Sequence, residues 1–218
     1  MTCGYKTLIF DAGTGRRSLG HELVIKGKIE AEIFFSHAHL DHIIGFPFFA
    51  PAFHPKNKFK IWSAVFDQQI PIKEVFKKLT SSPMFPVSFE IFNAQFDFLT
   101  FKPGDEIDVD EKISLSTVEL NHPQGAVGYR VNFAGKSVCY ITDTEHKPGI
   151  IDQNIKSLVS GADVVIYDAC FTDENYANYA GWGHSTWQEG VKLCDAASVK
   201  KLIIFHHDPG NDDSAMDI

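Results

Sequence analysis

The chemistry of this 218-residue chain is concentrated in its ten histidines. Three of them stand close together in the segment Ser36-His37-Ala38-His39-Leu40-Asp41-His42. Imidazole nitrogens and carboxylate oxygens are the ligands that Zn²⁺ and similar divalent ions prefer in proteins. The spacing therefore predicts a metal site in this segment, and a solvated polar loop is the simpler alternative.

Further candidate ligands stand just after short apolar runs of the sequence. They are His122, Asp143, Asp168, His206 and His207. Such runs are typical of buried strands, and the ends of neighbouring strands lie about 5 Å apart in a sheet. Each residue alone would more often be a surface or capping residue, but their repetition favours one shared site. Because adjacent residues of a strand point in opposite directions, only one of His206 and His207 is expected to face that site.

The elements that must position these residues are of mixed type, because apolar, β-branched and aromatic runs alternate with amphipathic stretches. A hairpin is predicted at Ala134-Gly135-Lys136. A capping box of Ser185 and Gln188 is expected to begin the last helix. The predicted strands are Lys6–Phe10, Ala31–Phe35, Phe59–Trp62, Phe89–Phe92, Ile113–Leu120, Ala126–Phe133, Ser137–Ile141, Asp163–Tyr167 and Leu202–Phe205. The predicted helices are Arg17–Lys26, Gln69–Leu79, Ile151–Ser160 and Thr186–Ala197.

Several segments resemble motifs of the metallo-β-lactamase superfamily, and more narrowly of its phosphodiesterase branch, which includes RNase Z and the cyclic-phosphate phosphodiesterases. Besides the histidine segment at 36–42, they are Ile9-Phe10-Asp11-Ala12-Gly13, Asn121-His122-Pro123, Thr142-Asp143-Thr144, Gly183-His184-Ser185-Thr186 and Lys200 to His206. The Gly-His-Ser-Thr segment is the most specific indication of phosphodiesters rather than lactams. Tyr167-Asp168-Ala169-Cys170 resembles the branch's His-Glu-Ala-Thr segment with both polar positions changed.

The resemblance implies an α+β fold, the αββα four-layer sandwich, in which two mixed β-sheets are flanked by helices. It implies a single hydrolase domain at residues 1–218. Relatives usually carry a further N-terminal strand and continue beyond the last ligand segment, whereas this chain begins almost at that strand's end and stops at Ile218. The resemblance therefore leaves open that an N-terminal strand and the C-terminal end of the fold are lacking.

The same resemblance implies a binuclear metal site. The ligands of the first ion are His37, His39 and His122. The ligands of the second ion are Asp41, His42 and His206, with Asp143 bridging the two ions and His207 as the alternative to His206. Zn²⁺ is the expected ion, and Mn²⁺ and Fe²⁺ suit the same mixed ligation.

Two further aspartates are expected beside these ligands rather than on the metals. Asp11 is a candidate for orienting a ligand histidine, and a strand-end turn residue before Gly13 is the equal alternative. Asp168 is expected either to orient a ligand in the same way or to be structural.

The motifs indicate a two-metal hydrolase that cleaves a small cyclic or linear phosphodiester, with a metal-bridging hydroxide attacking phosphorus. His184 is the candidate catalytic residue, either as hydrogen-bond donor to a phosphoryl oxygen or as the acid that protonates the leaving alkoxide. It precedes a predicted helix, whose positive N-terminus favours a nearby phosphate. Asp41 is a second catalytic candidate, because it can accept the proton of the attacking water as well as bind metal.

Composition helps to rank the alternatives. Asp and Glu number 28 against 20 Lys and Arg, and the resulting net charge of −8 argues against broad nucleic-acid binding. A nucleic-acid partner is therefore not favoured, and a tRNA 3′-processing endonuclease of the RNase Z type is the second hypothesis. A metal-binding module without catalysis is the third.

The sequence also bears on membranes and compartment. Its apolar runs are shorter than the roughly 18 residues of a membrane span, so no membrane partner is expected. The chain opens without a basic and apolar leader, and its four cysteines form no C-x-x-C pair. A cytoplasmic protein with reduced thiols is therefore expected, and a homodimer is left open.

Overall fold

The computed structural model describes residues 1–66, 70–212 and 214. The chain divides into two compact units, Met1–Lys102 and Pro103–Ile218. Within the described residues, the strands of the first unit form a five-stranded sheet and those of the second a six-stranded sheet. Over the same residues, no helix is both long enough and apolar enough to cross a membrane.

The sheet of the first unit has the strand order β1-β2-β3-β4-β5. Strands β2 to β5 run parallel, and β1 pairs antiparallel with β2 at one edge. Residues 31–35 of β3 are all buried, which is typical of an inner strand of a parallel sheet. The elements are β1 (Thr2–Cys3), β2 (Lys6–Phe10), α1 (Arg16–Ile25), β3 (Glu30–Phe35), α2 (Leu40–Ile43), β4 (Lys58–Ala64), α3 (Ile72–Leu79) and β5 (Gln95–Phe101).

Phenylalanines dominate the core of the first unit. The fully buried ring of Phe46 stacks on Phe76 with centroids 4.0 Å apart and meets the edge of Phe92 at 5.3 Å. Offset and edge-to-face contacts of this kind add to the free energy gained by burying the rings. Phe46 and Phe49, which follow the histidine segment, are members of this core, so core packing supports the position of that segment.

Replacing Phe46 with alanine is expected to lower the free energy of unfolding by about 3–5 kcal/mol, because a buried ring is exchanged for a cavity. Urea denaturation followed by circular dichroism measures this loss. Phe48→Ala is the matched control, since the Phe48 side chain is 54% exposed. The control is expected to cost less than about 1 kcal/mol, and equal losses for the two variants would contradict the packing described.

The sheet of the second unit has the strand order β11-β10-β9-β8-β7-β6. Strands β6 to β9 form an antiparallel meander, and β9, β10 and β11 run parallel. The elements are β6 (Glu106–Asp110), β7 (Ile113–Leu120), β8 (Ala126–Phe133), β9 (Lys136–Ile141), α4 (Gln153–Val159), β10 (Val164–Asp168), α5 (Trp187–Ala196) and β11 (Leu202–Phe205).

The predicted hairpin is confirmed between β8 and β9. Phe133 pairs with Lys136, and the two residues between them have positive φ angles, 50° at Ala134 and 71° at Gly135. Two successive positive φ angles give a two-residue loop the twist that suits antiparallel strands.

Most of the predicted strands are confirmed, but one is wrong. The segment Phe89–Phe92 was expected as a strand, whereas Phe89–Ile91 is a 3₁₀ helix and the strand begins at Gln95. The helical turn brings the rings of Phe89 and Phe92 to a centroid distance of 5.4 Å, so both contribute to the core. Packing of the aromatic side chains therefore outweighs the strand propensity of phenylalanine here.

The helix predictions are confirmed in place but differ at their ends. Helix α5 has Thr186 rather than Ser185 as its N-cap, and the Thr186 hydroxyl accepts a hydrogen bond from the Glu189 N–H at 3.2 Å. The predicted helix over 69–79 is observed as α3 from Ile72, and Gln69 lies outside the described residues. All four cysteines are buried thiols, as expected.

Candidate metal centre

In the first unit, the histidine segment lies at the carboxyl end of β3 and continues into α2. The ring of His37 lies 4.5 Å from that of His39 and 4.3 Å from that of His42, measured between centroids. The Asp41 carboxylate reaches His42 Nε2 at 3.0 Å. Three imidazoles and one carboxylate are thus gathered at a single strand end.

Asp11 ties this segment to the end of β2. Its carboxylate lies 2.9 Å from His42 Nδ1 and accepts hydrogen bonds from the Ser36 N–H at 2.7 Å and the Ser36 hydroxyl at 2.8 Å. Asp11 is buried and has a φ angle of 54°, a conformation that costs energy in a residue with a side chain. A carboxylate that holds one ring nitrogen leaves the other to face a metal, which is how ligand histidines are usually oriented.

Two glycines allow the backbone to close tightly around the segment. A Cβ atom at Gly45 would lie 2.0 Å from the Gly13 carbonyl oxygen, and one at Gly13 would lie 2.7 Å from that of Asp41. The Gly45 N–H donates to the Ala12 carbonyl at 2.7 Å. The loop after β2 and helix α2 are therefore in direct backbone contact, which only glycine permits.

In the second unit, Asp143 lies between two histidines. Its Oδ1 is 3.2 Å from His206 Nε2, and its Oδ2 is 4.0 Å from His122 Nε2. The Thr142 hydroxyl donates to Oδ1 at 2.7 Å, and only 1% of Asp143 is exposed. The left-handed φ angles of Asp143 (42°) and His206 (59°) indicate backbone held in strained conformations at this point.

His122 is oriented by the loop before α5. Its Nδ1 lies 2.8 Å from the Gly183 carbonyl oxygen, so Nδ1 is the donor in this hydrogen bond and Nε2 faces Asp143. Gly183 has a φ angle of +87°, and a Cβ atom there would lie 2.3 Å from His122 Nδ1. This position therefore requires glycine both for its conformation and for its close approach to the ring.

His184 is paired with Asp168, at the end of β10. The distance from His184 Nδ1 to Asp168 Oδ2 is 3.0 Å. Asp168 is fully buried, and its carboxylate also accepts hydrogen bonds from the N–H groups of Thr144 and Cys170, both at 3.1 Å. Burial raises the pKa of the Asp168 carboxyl, and the hydrogen bond to His184 opposes that rise.

The histidines of the second unit are neighbours. The ring centroid of His184 lies 4.9 Å from that of His206 and 5.3 Å from that of His122. Asp143, Asp168, His184 and His206 each offer a ligand atom, and those atoms all lie within 4.8 Å of one another. Of the two adjacent histidines after β11, it is His206 whose Nε2 lies beside Asp143.

Sequence reasoning missed the role of Glu145, which immediately follows the Thr-Asp-Thr motif. Its carboxylate accepts hydrogen bonds from the Gly181 N–H at 2.9 Å and the Gly183 N–H at 2.8 Å. Its own backbone exchanges two hydrogen bonds of 2.7 Å with Asn121. Glu145 thus fastens the loop that carries Gly183 and His184 to the segment that carries His122.

His146 lies in the loop that follows Glu145 and is half-buried. Its Nδ1 is 2.9 Å from the Ser185 hydroxyl, and its ring stacks on Tyr176 with a centroid distance of 4.1 Å. The Ser185 hydroxyl also lies 3.0 Å from the Tyr167 hydroxyl. The Ser185 hydroxyl is therefore engaged by His146 and Tyr167. This explains why the N-cap of α5 is Thr186 rather than Ser185.

Comparison with models of protein families shows to which family this chain belongs. Residues 6–207 match the model of the beta-lactamase superfamily domain. The chain belongs to the beta-lactamase superfamily.

Within this superfamily, the chain is similar in sequence to ribonucleases Z. The ribonuclease Z of Methanothermobacter thermautotrophicus is 24% identical over 91% of this chain and 76% of its own length. That of Streptococcus mutans is 25% identical over 91% of this chain and 78% of its own length. A shorter alignment with the enzyme of an Exiguobacterium species, 29% identical, covers 50% of this chain and 32% of that relative.

Solved structures of the superfamily confirm the predicted fold class. Human tRNase Z, short form, aligns with a TM-score of 0.70 and 16% identity over 96% of this chain and 85% of its own chain. The metallo-β-lactamase fold protein YhfI from Bacillus subtilis has a TM-score of 0.68 and 18% identity over 96% of this chain and 78% of its own chain. A diphosphatase from the PhnP family has a TM-score of 0.65 and 18% identity over 92% of this chain and 69% of its own chain.

Similarity to the ribonucleases Z supports the predicted enzyme class, a hydrolase. The residues also fit divalent metals chemically. Each unit gathers imidazole and carboxylate groups, the mixed donor set that borderline ions favour. His42 and His122 each have one ring nitrogen held by an oxygen of the protein, as ligand histidines usually do.

Proposed function

We propose that this chain is a two-metal phosphodiesterase that cleaves a small cyclic or linear phosphodiester. The observation that carries the proposal is the position of Asp143 between His122 and His206, with the His184–Asp168 pair directly beside them. A buried carboxylate between two histidines suits a ligand shared by two ions. A neighbouring histidine with its own carboxylate partner suits proton donation to a substrate.

The proposed ligands follow the motifs of the superfamily. By these motifs, His37, His39 and His122 would hold the first ion. Asp41, His42 and His206 would hold the second, and Asp143 would be shared by the two. When bound, Zn²⁺ or the alternatives Mn²⁺ and Fe²⁺ supply positive charge for the phosphoryl oxygens and lower the pKa of water toward neutrality.

His184 is the proposed catalytic residue. Because Asp168 holds His184 Nδ1, the other nitrogen, Nε2, can donate a hydrogen bond to a phosphoryl oxygen or a proton to the leaving alkoxide. The Asp168 carboxylate fixes the orientation of the ring, as the carboxylate of a catalytic triad does. Helix α5 begins three residues after His184, and its N-terminus favours negative charge nearby.

Asp41 is proposed as a ligand that also accepts the proton of the attacking water. Its side chain is 59% exposed, in contrast to the buried His42 beside it. Exposure allows the carboxylate to pass a proton on to solvent, which a fully buried carboxylate could not do as readily.

Metal content per chain, measured together with hydrolysis of bis(p-nitrophenyl) phosphate on the same preparation, tests this proposal. About two ions per chain, with turnover abolished by a chelator and restored by added metal, is the expected result. Two bound ions without turnover would favour a hydrolase with a different substrate, or a metal-binding module without catalysis. A protein without metal would overturn the ligand assignment.

A tRNA 3′-processing endonuclease is the second candidate, favoured by the ribonuclease Z relatives. It predicts cleavage of precursor tRNA at its 3′ end and binding that weakens steeply with salt, because phosphate contacts release counterions. Cleavage of precursor tRNA at rates above those for cyclic phosphodiesters would replace the first candidate with this one. Turnover of small phosphodiesters only, with little dependence on salt, would favour the first.

Replacing Glu145 with alanine is expected to weaken metal binding by about 10- to 100-fold, a typical effect of losing a group that orients a ligand. The variant removes the acceptor that fixes Gly181 and Gly183, so His122 loses the support of the Gly183 carbonyl. Competition with a metal-binding dye measures the affinity.

Two variants accompany this measurement. Glu145→Gln keeps one acceptor oxygen and is expected to recover part of the lost affinity. Glu111→Ala, at an exposed turn, is the control and is expected to bind metal as the unaltered protein does. Unchanged affinity in Glu145→Ala would show that the loop holds its position without this carboxylate.

A further inference from the structure

We propose that Cys170, His184 and His206 form an additional metal site for thiophilic ions, which inhibits the enzyme when it is filled. One ligand atom from each of the three residues lies within 4.8 Å of the others. The proposed phosphodiesterase chemistry uses His184 and His206 but leaves Cys170 without a role. Binding of a thiophilic ion stands on the geometry alone, whereas inhibition rests on the proposed function.

Cys170 is held firmly in position. It follows β10, it is 8% exposed, and its N–H donates to the Asp168 carboxylate at 3.1 Å. The same Asp168 carboxylate holds His184 Nδ1 at 3.0 Å. One buried carboxylate thus fixes both the sulfur-bearing residue and its imidazole neighbour.

The donor set determines which ions the site would select. One thiolate and two imidazoles suit Zn²⁺ and softer ions, whereas Mg²⁺ and Mn²⁺ prefer oxygen ligands. Bond lengths of about 2.3 Å to sulfur and 2.0–2.1 Å to nitrogen place tetrahedral ligand atoms about 3.3–3.6 Å apart. The three ligand atoms lie within 4.8 Å of one another, so an ion would draw them together by at most about 1.5 Å.

Filling this site would withdraw two residues from catalysis. His206 would no longer serve the proposed metal pair, and His184 would use Nε2 to bind metal rather than to donate a proton. Excess Zn²⁺, or a softer ion such as Cd²⁺, is therefore expected to inhibit a protein that needs divalent metal for activity. The sulfur ligand makes the inhibitory site more selective for soft ions than the His and Asp ligands are.

Titration of the full-length chain with Cd²⁺ alone tests the site without relying on activity. A thiolate-to-cadmium charge-transfer absorption in the ultraviolet is expected, saturating at about one equivalent that binds sulfur. Cys170→Ser is expected to abolish the absorption, whereas Cys194→Ser, which alters a buried thiol on α5, is expected to retain it. Absence of the absorption in the unaltered chain, or its persistence in Cys170→Ser, would overturn the proposal.

A second variant tests the site without altering the thiol, and an activity assay tests whether Cd²⁺ inhibits the enzyme through Cys170. His184→Gln leaves the thiol intact and is expected to weaken Cd²⁺ binding by about tenfold or more, and unchanged affinity would remove His184 from the site.

In the phosphodiesterase assay, each variant is compared with its own rate before Cd²⁺ is added. Cys170→Ser is expected to need about tenfold more Cd²⁺ for half-inhibition, and equal sensitivity would overturn the inhibitory role.

Discussion

Replacing Asp143 with asparagine is expected to reduce the bound metal from about two ions per chain to at most one, and to lower phosphodiester turnover by on the order of 10³-fold or more. Asparagine preserves the size of the side chain but removes the negative charge that lies between His122 and His206. A neutral amide cannot bridge two cations as a carboxylate can, and several kcal/mol of charge stabilisation are lost with the second ion.

Metal analysis and the rate of bis(p-nitrophenyl) phosphate hydrolysis, taken on one preparation, check this outcome. Asp108→Asn is the matched control, since Asp108 is exposed on β6 in the same unit. The control is expected to retain the metal and the rate of the unaltered protein. An Asp143→Asn protein that keeps both ions would show that Asp143 does not bridge them.

Local patterns in the sequence predicted the parts of the site that depend on neighbouring residues. The segment from Ser36 to His42 stands directly after a buried strand, so its ligand groups meet at one strand end whatever the rest of the chain does. Strand alternation likewise allowed only one of two adjacent histidines to face Asp143, and His206 is the one beside it.

Contacts between distant segments were not predictable in this way. Glu145 acts on Gly181 and Gly183, more than thirty residues away, through a loop whose course no periodic pattern reveals. The pairing of Asp168 with His184 has the same character, because it joins the end of β10 to the loop before α5. Motif resemblance suggested that both segments matter, but only three-dimensional structure shows which atoms meet.

The missed and misplaced strands have physical reasons of their own. Strand β6 (Glu106–Asp110) was not predicted. Its apolar and polar residues alternate, and their burial follows the same alternation, but the pattern is only five residues long. Phenylalanines are dense both at Phe89–Phe92 and in β5 (Gln95–Phe101), so both segments fit the strand pattern. Core packing selected the second segment as the strand.

Replacing His184 with alanine is expected to leave both metal ions bound and to lower phosphodiester turnover by about 10²- to 10⁴-fold, the usual contribution of a positioned acid. His184 lies beside the ligands, with its ring 4.9 Å from that of His206, but it is assigned to proton donation rather than to the metal pair. His39→Ala, by contrast, is expected to lose metal as well as turnover, since His39 is a proposed ligand.

The comparison of these two variants separates catalysis from metal binding. His21→Ala, which alters an exposed histidine on α1, controls for the loss of an imidazole and is expected to keep both metal and turnover. Because alanine at position 184 also leaves Asp168 buried without its imidazole partner, thermal unfolding is measured alongside the rates. A folded His184→Ala protein with two metals and full turnover would exclude His184 as the proton donor. Asp41 and the metals would then have to supply that chemistry alone.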